Sequence, residues 1–220
     1  MKLNFKYDKE KDIWCLLNFG KKSGNSGLTT KVYDRLVSTY GENPTHEEVS
    51  EFIDKYISEN NLYIQKFLSE YENDWNKIAE EYQKRAERIF GVSLPYEEIT
   101  AYLTINNRCP YDKVNHKYFF VSMSTLQSIR KTTAMHELWH FYTWYAFGSG
   151  SEEEEERFGK QKYNDIKEAL TVLLNIECKD LLPLGVEDKG YPQHEEMRQK
   201  ITEMWSEGKN MKEIVAFLGL

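Results

Sequence analysis

Cysteine is scarce in this 220-residue chain: Cys15, Cys109 and Cys178 are far apart and odd in number. They make neither a disulfide framework nor a C-x-x-C metal or redox motif. Free thiols of this kind fit a reducing compartment, so a cytoplasmic location is expected. Long apolar runs are missing as well. No stretch reaches the roughly 20 residues that span a bilayer, so no membrane partner is expected. Residues 1–11 alternate polar and apolar side chains instead of carrying the apolar segment of a secretory signal. Positive charge is not in excess either. A net charge of −7 argues against nucleic acid as the main partner, because phosphate binding needs a basic surface. Gly-rich phosphate loops are absent too: Lys21 to Gly27 is rich in turn formers but lacks G-x-x-x-x-G-K-[ST], and reads as a plain loop.

What remains is ample material for a core. Apolar residues make up 40% of the chain and aromatics 14%, while the 30% of charged residues mix both signs. The hydrophobic periodicity is mostly helical. Lys2–Tyr7 alternates and reads as a short strand, and Ile13–Phe19 as helix or strand, with Asp12 as cap for a helix. Leu28–Tyr40 is helical and stops at Gly41. Thr45 with Glu48 three residues on is a capping box opening another helix, where His46 reads as a surface residue. Leu62–Phe90 carries an apolar stripe for one long helix or two, with Gly91 as the terminating residue.

The texture then changes. Ile99–Asn106 and Lys117–Ser124 are rich in β-branched and aromatic residues, with a turn-like segment, Asn107–His116, between them. They read as an antiparallel hairpin. Cys109 and His116 in that segment are too few for a structural zinc site. After residue 147 come Gly148 and Gly150, five glutamates (152–156), a strong helix over Lys160–Lys179, a Pro/Gly loop over Leu181–Gly190, and two closing helices over Gln193–Ser206 and Lys209–Leu220. The glutamate run reads as a solvated loop or helix start. The expected fold is α+β: mainly helical, with a small antiparallel sheet just before the central helix. One domain over 1–220 is expected, with an N-terminal helical part (1–91) and a second part over 92–220.

That central helix holds His136-Glu137-Leu138-Trp139-His140, an H-E-x-x-H motif inside the apolar run 132–147, with Thr125 as candidate N-cap. Residues four apart share one helix face. His136 and His140 can thus present two imidazoles to one metal ion, while Glu137, one step round, stands close to it without having to bind. An almost all-round apolar helix is buried, and two buried histidines and a glutamate need partners. Two core histidines bonded to neighbouring carboxylates would be the plain alternative.

Two histidines do not complete a catalytic metal site, which takes three protein ligands. The extension H-x-x-G-x-x-H is absent, since Thr143 and Ala146 stand where its Gly and His would be. Glu168, at the front of the apolar segment 169–174 on the following helix, is the preferred third ligand. Asp165, one turn earlier, could ligate instead or orient a histidine. Glu152 to Glu156 sit in a run too irregular for a rigid site.

With these residues, over roughly Ile99–Lys179, the chain resembles the gluzincin metallopeptidases. The stretch Ile166-Lys167-Glu168-Ala169-Leu170-Thr171 departs from the N-E-x-x-S-D pattern of their thermolysin-like branch. The resemblance implies Zn2+ held by His136, His140 and Glu168, a zincin-like second part, and Glu137 as general base for hydrolysis of a peptide or protein substrate. It also implies a Tyr or His that stabilises the oxyanion, for which Tyr191 and His194 are the candidates. The alternatives are a non-catalytic regulatory or interaction protein that keeps the metal, and a helical interaction protein in which the motif is coincidental.

Overall fold

The computed structural model describes residues 1–21, 30–112, 115, 117–126, 129–148 and 159–219. Most of the loop expected over 21–27, part of the turn over 107–116 and the glutamate run 152–156 lie outside the described residues. The chain divides into two compact units interleaved in sequence. One comprises Met1, Asn76–Tyr96 and Lys131–Leu220; the other comprises Lys2–Trp75 and Glu97–Arg130.

The second of these holds the sheet. Strands β1 (Lys2–Tyr7), β2 (Glu98–Thr104) and β3 (Tyr118–Ser122) lie in the order β1-β2-β3. Both pairings are parallel, with Lys2 opposite Glu98 and Thr100 opposite Tyr118 at the starts of the two registers. The expected antiparallel hairpin is therefore wrong. The segment after β2 first doubles back beside β3: Phe120 N–H donates to the Pro110 carbonyl, Asp112 N–H donates to Tyr118, and Tyr111 bridges Phe119 in antiparallel sense. Strand β3 itself runs in the same direction as β2. A connection of this length permits the reversal that a two-residue hairpin loop would forbid. Phe119 to Ser122 are all buried, as strands covered on both faces are.

Around the sheet, α1 spans Lys9–Phe19, α2 Lys31–Tyr40, α3 His46–Glu59 and α4 Ile64–Asn76. The cap of α1 is Asp8, which accepts from the amides of Glu10 and Lys11. Asp12, the expected cap, lies inside the helix and is fully buried. Thr45 and Glu48 form the capping box of α3 as expected.

The other unit is helical. The stripe over 62–90 is broken after α4, and α5 (Ala79–Phe90) ends at Gly91 with φ +69°. Helix α6 starts at Arg130, whose residue sits at the unit boundary, and runs to Phe147. Thr125 is not its cap; the Thr125 carbonyl instead accepts from Arg130 Nε at 3.3 Å. Then follow α7 (Lys160–Ala169), a 3-10 turn at Leu170–Leu173, α8 (Leu174–Glu177), a 3-10 turn at Pro192–His194, α9 (Glu195–Ser206) and α10 (Met211–Leu218). The core is aromatic. Met135, Leu138, Trp139, Phe141 and Tyr142 of α6 are at most 1% exposed. Phe90 packs edge-on to Trp139 at 5.0 Å and stacks on Tyr142 at 5.7 Å. Two polar atoms brought in by core rings are bonded: Tyr82 Oη donates to the Met135 carbonyl (2.8 Å) and Trp139 Nε1 to that of Leu170 (3.1 Å), whereas the buried Tyr142 Oη has no hydrogen-bond partner among the described residues. Among the described residues, no helix is long and apolar enough to cross a membrane.

Candidate metal centre

Helix α6 fixes the two histidines. Trp139, between them in sequence, is anchored at the carbonyl of Leu170, where the α7 segment tightens into its 3-10 turn. His136 and His140 stand one turn apart with ring centroids 4.5 Å from each other. Glu168, near the end of α7, faces both: Oε2 lies 3.5 Å from His136 Nε2 and Oε1 3.3 Å from His140 Nε2. One donor atom from each of the three residues falls within 4.8 Å of the others. At 3.5 Å the contact to His136 is a poor hydrogen bond, and the buried Oε2 has no hydrogen-bond partner. Two imidazole nitrogens and a carboxylate oxygen converging on one point form a set of the kind that holds a metal ion. The donor set fits a metal ion.

The partner of His136 comes from the Pro/Gly loop expected over Leu181–Gly190. Asp188 Oδ2 lies 2.7 Å from His136 Nδ1. That bond makes Nδ1 the protonated nitrogen and leaves Nε2 to face Glu168, the arrangement by which carboxylates orient metal-binding imidazoles. Asp188 is itself clamped. Its backbone N–H donates to Asn175 Oδ1 (2.8 Å), and its carbonyl accepts from Asn175 Nδ2 (2.9 Å) and Arg198 Nη2 (2.5 Å). Its Oδ1 meets Thr171 Oγ1 at 2.8 Å and Arg198 Nη1 at 3.1 Å. Asp165, the alternative third ligand or histidine-orienting group, does orient a histidine, but the one it holds is His194, at 2.9 Å from Nε2.

These neighbours set the charges. Burial alone would push the Glu168 carboxyl up, but His140, His136 and the Lys167 ammonium outweigh it and hold the group well below the usual carboxylate range. Asp188 is held low in the same way, burial being outweighed by His136, Thr171 and Arg198. Burial works against a charged His136, yet Asp188 and Glu168 push it up to about 10. His140 goes down to about 3, through burial first and the Lys167 charge second. Glu137 is 9% exposed, and burial pushes its carboxyl up to about 7, against the cationic pull of His136 and Lys167.

Tyr191 and His194 lie after Gly190. His194 is buried, bonded to Asp165 through Nε2, and packs edge-on to the Tyr191 ring at 5.7 Å. Tyr191 is half exposed, and its hydroxyl is raised by partial burial and then by the charges of Glu168 and Glu137. A cavity of about 620 Å³ opens beside it, lined by Tyr191, Arg198, Lys189, Glu195 and Gln199 among others.

Asp188, Arg198, Thr171, Asn175 and Lys167 were not singled out from the sequence. Only one faint signal pointed to any of them: Thr171 and Asn175, four apart, share a helical face. Comparison with protein-family models, with curated proteins and with solved structures finds no match to this chain.

Proposed function

We propose that this chain is a metal-dependent peptidase of the gluzincin kind, with zinc as its ion and a peptide or protein as its substrate. The observation that carries the reading is the convergence of His136, His140 and Glu168 on one point, with Asp188 fixing the nitrogen that His136 presents there. An ion in that position would polarise a carbonyl and lower the pKa of water towards roughly 7.

The chain's own groups supply the rest. Glu137 is the general base. Its buried Oε2 has no hydrogen-bond partner, and burial raises its carboxyl above the usual range. It takes the proton of the attacking water and returns it to the leaving amine. An ion held by His136, His140 and Glu168 would lower this pKa and favour the ionised base. Tyr191 is the oxyanion donor, half exposed and carrying its proton through the neutral range. His194 gives its Nε2 to Asp165 and braces the Tyr191 ring, so its part is to position the phenol. The cavity flanked by Tyr191 is the place for a substrate side chain.

The test is elemental analysis followed by peptide-library turnover. Wild type should hold about one zinc per chain, as one three-ligand site requires. His136→Ala and Glu168→Ala should both lose it. Glu137→Gln should keep the ion and lose at least about 100-fold in turnover, the lower end for a missing general base. Metal-free wild type that takes up no zinc would remove the reading, and turnover by Glu137→Gln at the wild-type rate would remove the role of Glu137.

A further inference from the structure

Lys167 is a charged side chain only 1% exposed, a rare condition for lysine unless its charge is compensated. Neighbouring residues on a helix point about 100° apart, yet its long stem brings Nζ back to 2.8 Å from Glu168 Oε1. The ammonium also lies 5.3 Å from the centre of the Trp144 ring, which stands one turn beyond His140 on α6. Burial, carboxylate and ring together fix it in place.

The consequence falls on Glu168. Its two oxygens are made unequal. Oε1 accepts a charge-assisted hydrogen bond from the ammonium, whereas Oε2 is buried, faces His136 and has no hydrogen-bond partner. A carboxylate oxygen whose lone pair holds an N–H is a poorer donor to a metal than its free twin. We infer that Lys167 is a positioning residue that restricts Glu168 to binding metal through Oε2 alone. The restriction keeps the protein's contribution at three donor atoms and leaves a further position open, as a catalytic site needs and a closed structural site lacks. This inference rests on the proposed metal site and extends it to the manner of ligation.

Cobalt(II) reports the number of donors directly, because four-coordinate sites absorb visible light far more strongly than five-coordinate ones. Wild type, Lys167→Met and Lys167→Arg would be loaded with cobalt(II), and the absorption compared per bound ion. Lys167→Met frees Oε1 to join the ion, so its visible absorption should fall several-fold and shift, with the ion retained. Lys167→Arg keeps an N–H donor and should stay close to wild type. A Met variant with the wild-type spectrum overturns the role of Lys167 while leaving the metal site standing. A wild type that binds no cobalt overturns both.

X-ray absorption on the zinc-loaded wild type serves if the Met variant does not fold. Four nitrogen and oxygen neighbours, with no carboxylate carbon at the short distance of two-oxygen binding, support the assignment; five neighbours with that carbon overturn it.

Discussion

Asp12 shows what one buried carboxyl does to a fold. It is fully buried in the sheet-containing unit, where Oδ1 accepts from Thr104 Oγ1 (2.5 Å) and the Ile105 amide (3.1 Å). Burial raises its pKa from 3.8 to about 6, more than the bonds from Thr104 and Ile105 lower it. The folded protein therefore holds this proton more tightly than the unfolded chain. The stabilisation is complete below about pH 4 and is lost as pH rises through about 6. A rise of roughly two units sets an upper limit of about 3 kcal/mol. Asn would still accept at Oδ1 without carrying charge. Asp12→Asn is expected to be more stable than wild type at pH 7 and to have lost this part of the pH slope. Urea melts at pH 4.5 and 7 measure both, and an unchanged slope in the variant would show that Asp12 is not its source.

At the level of elements, the site depends on one glycine as much as on its helices. Gly190 has φ +61°, and a Cβ built there would lie 2.6 Å from Arg198 Nη1. The residue lets the chain turn left-handed between Asp188 and Tyr191 while the guanidinium passes flat against its backbone. Gly190→Ala adds both faults: about 1–2 kcal/mol for the left-handed conformation, and displacement of Arg198 from Asp188. At 2–4 °C per kcal/mol for a chain of this size, a drop in Tm of at least about 2–4 °C should appear in calorimetry. Zinc affinity should weaken with it, because His136 loses a firmly held partner. A variant unchanged in both would mean that Arg198 has room to move. The break of the 160–179 segment into α7, a 3-10 turn and α8 belongs to the same design. Tightening at Leu170–Leu173 turns Thr171 and Asn175 towards Asp188 while Glu168 faces the histidines.

Across the whole molecule, the proposed ion would join α6 to α7 at His136, His140 and Glu168, whose direct contacts with one another are 3.3–3.5 Å. An ion that binds only the folded state stabilises it by about 2.7 kcal/mol at a hundred times Kd. Thermal unfolding should therefore move up by several degrees on adding zinc and return on adding a chelator. His136→Ala should show neither change. A wild-type Tm indifferent to zinc and chelator would mean that the donors bind no ion in solution.

The sequence by itself determined what depends on near neighbours. The capping box at Thr45 and Glu48, the stop at Gly91, the helical bulk and the pairing of His136 with His140 all follow from spacing along one helix. Glu168 was legible because a carboxylate beside an apolar helical segment is held near a core. Tertiary structure decided the rest. The direction of β3 hinged on how residues 110–112 double back beside it, which no pattern within either strand encodes. Asp188 meets His136 across 52 positions from within a loop, and loops have no period to read. Asp165 went to His194, and the buried Lys167 curled back on Glu168, because each took the partner that the packing brought within 3 Å.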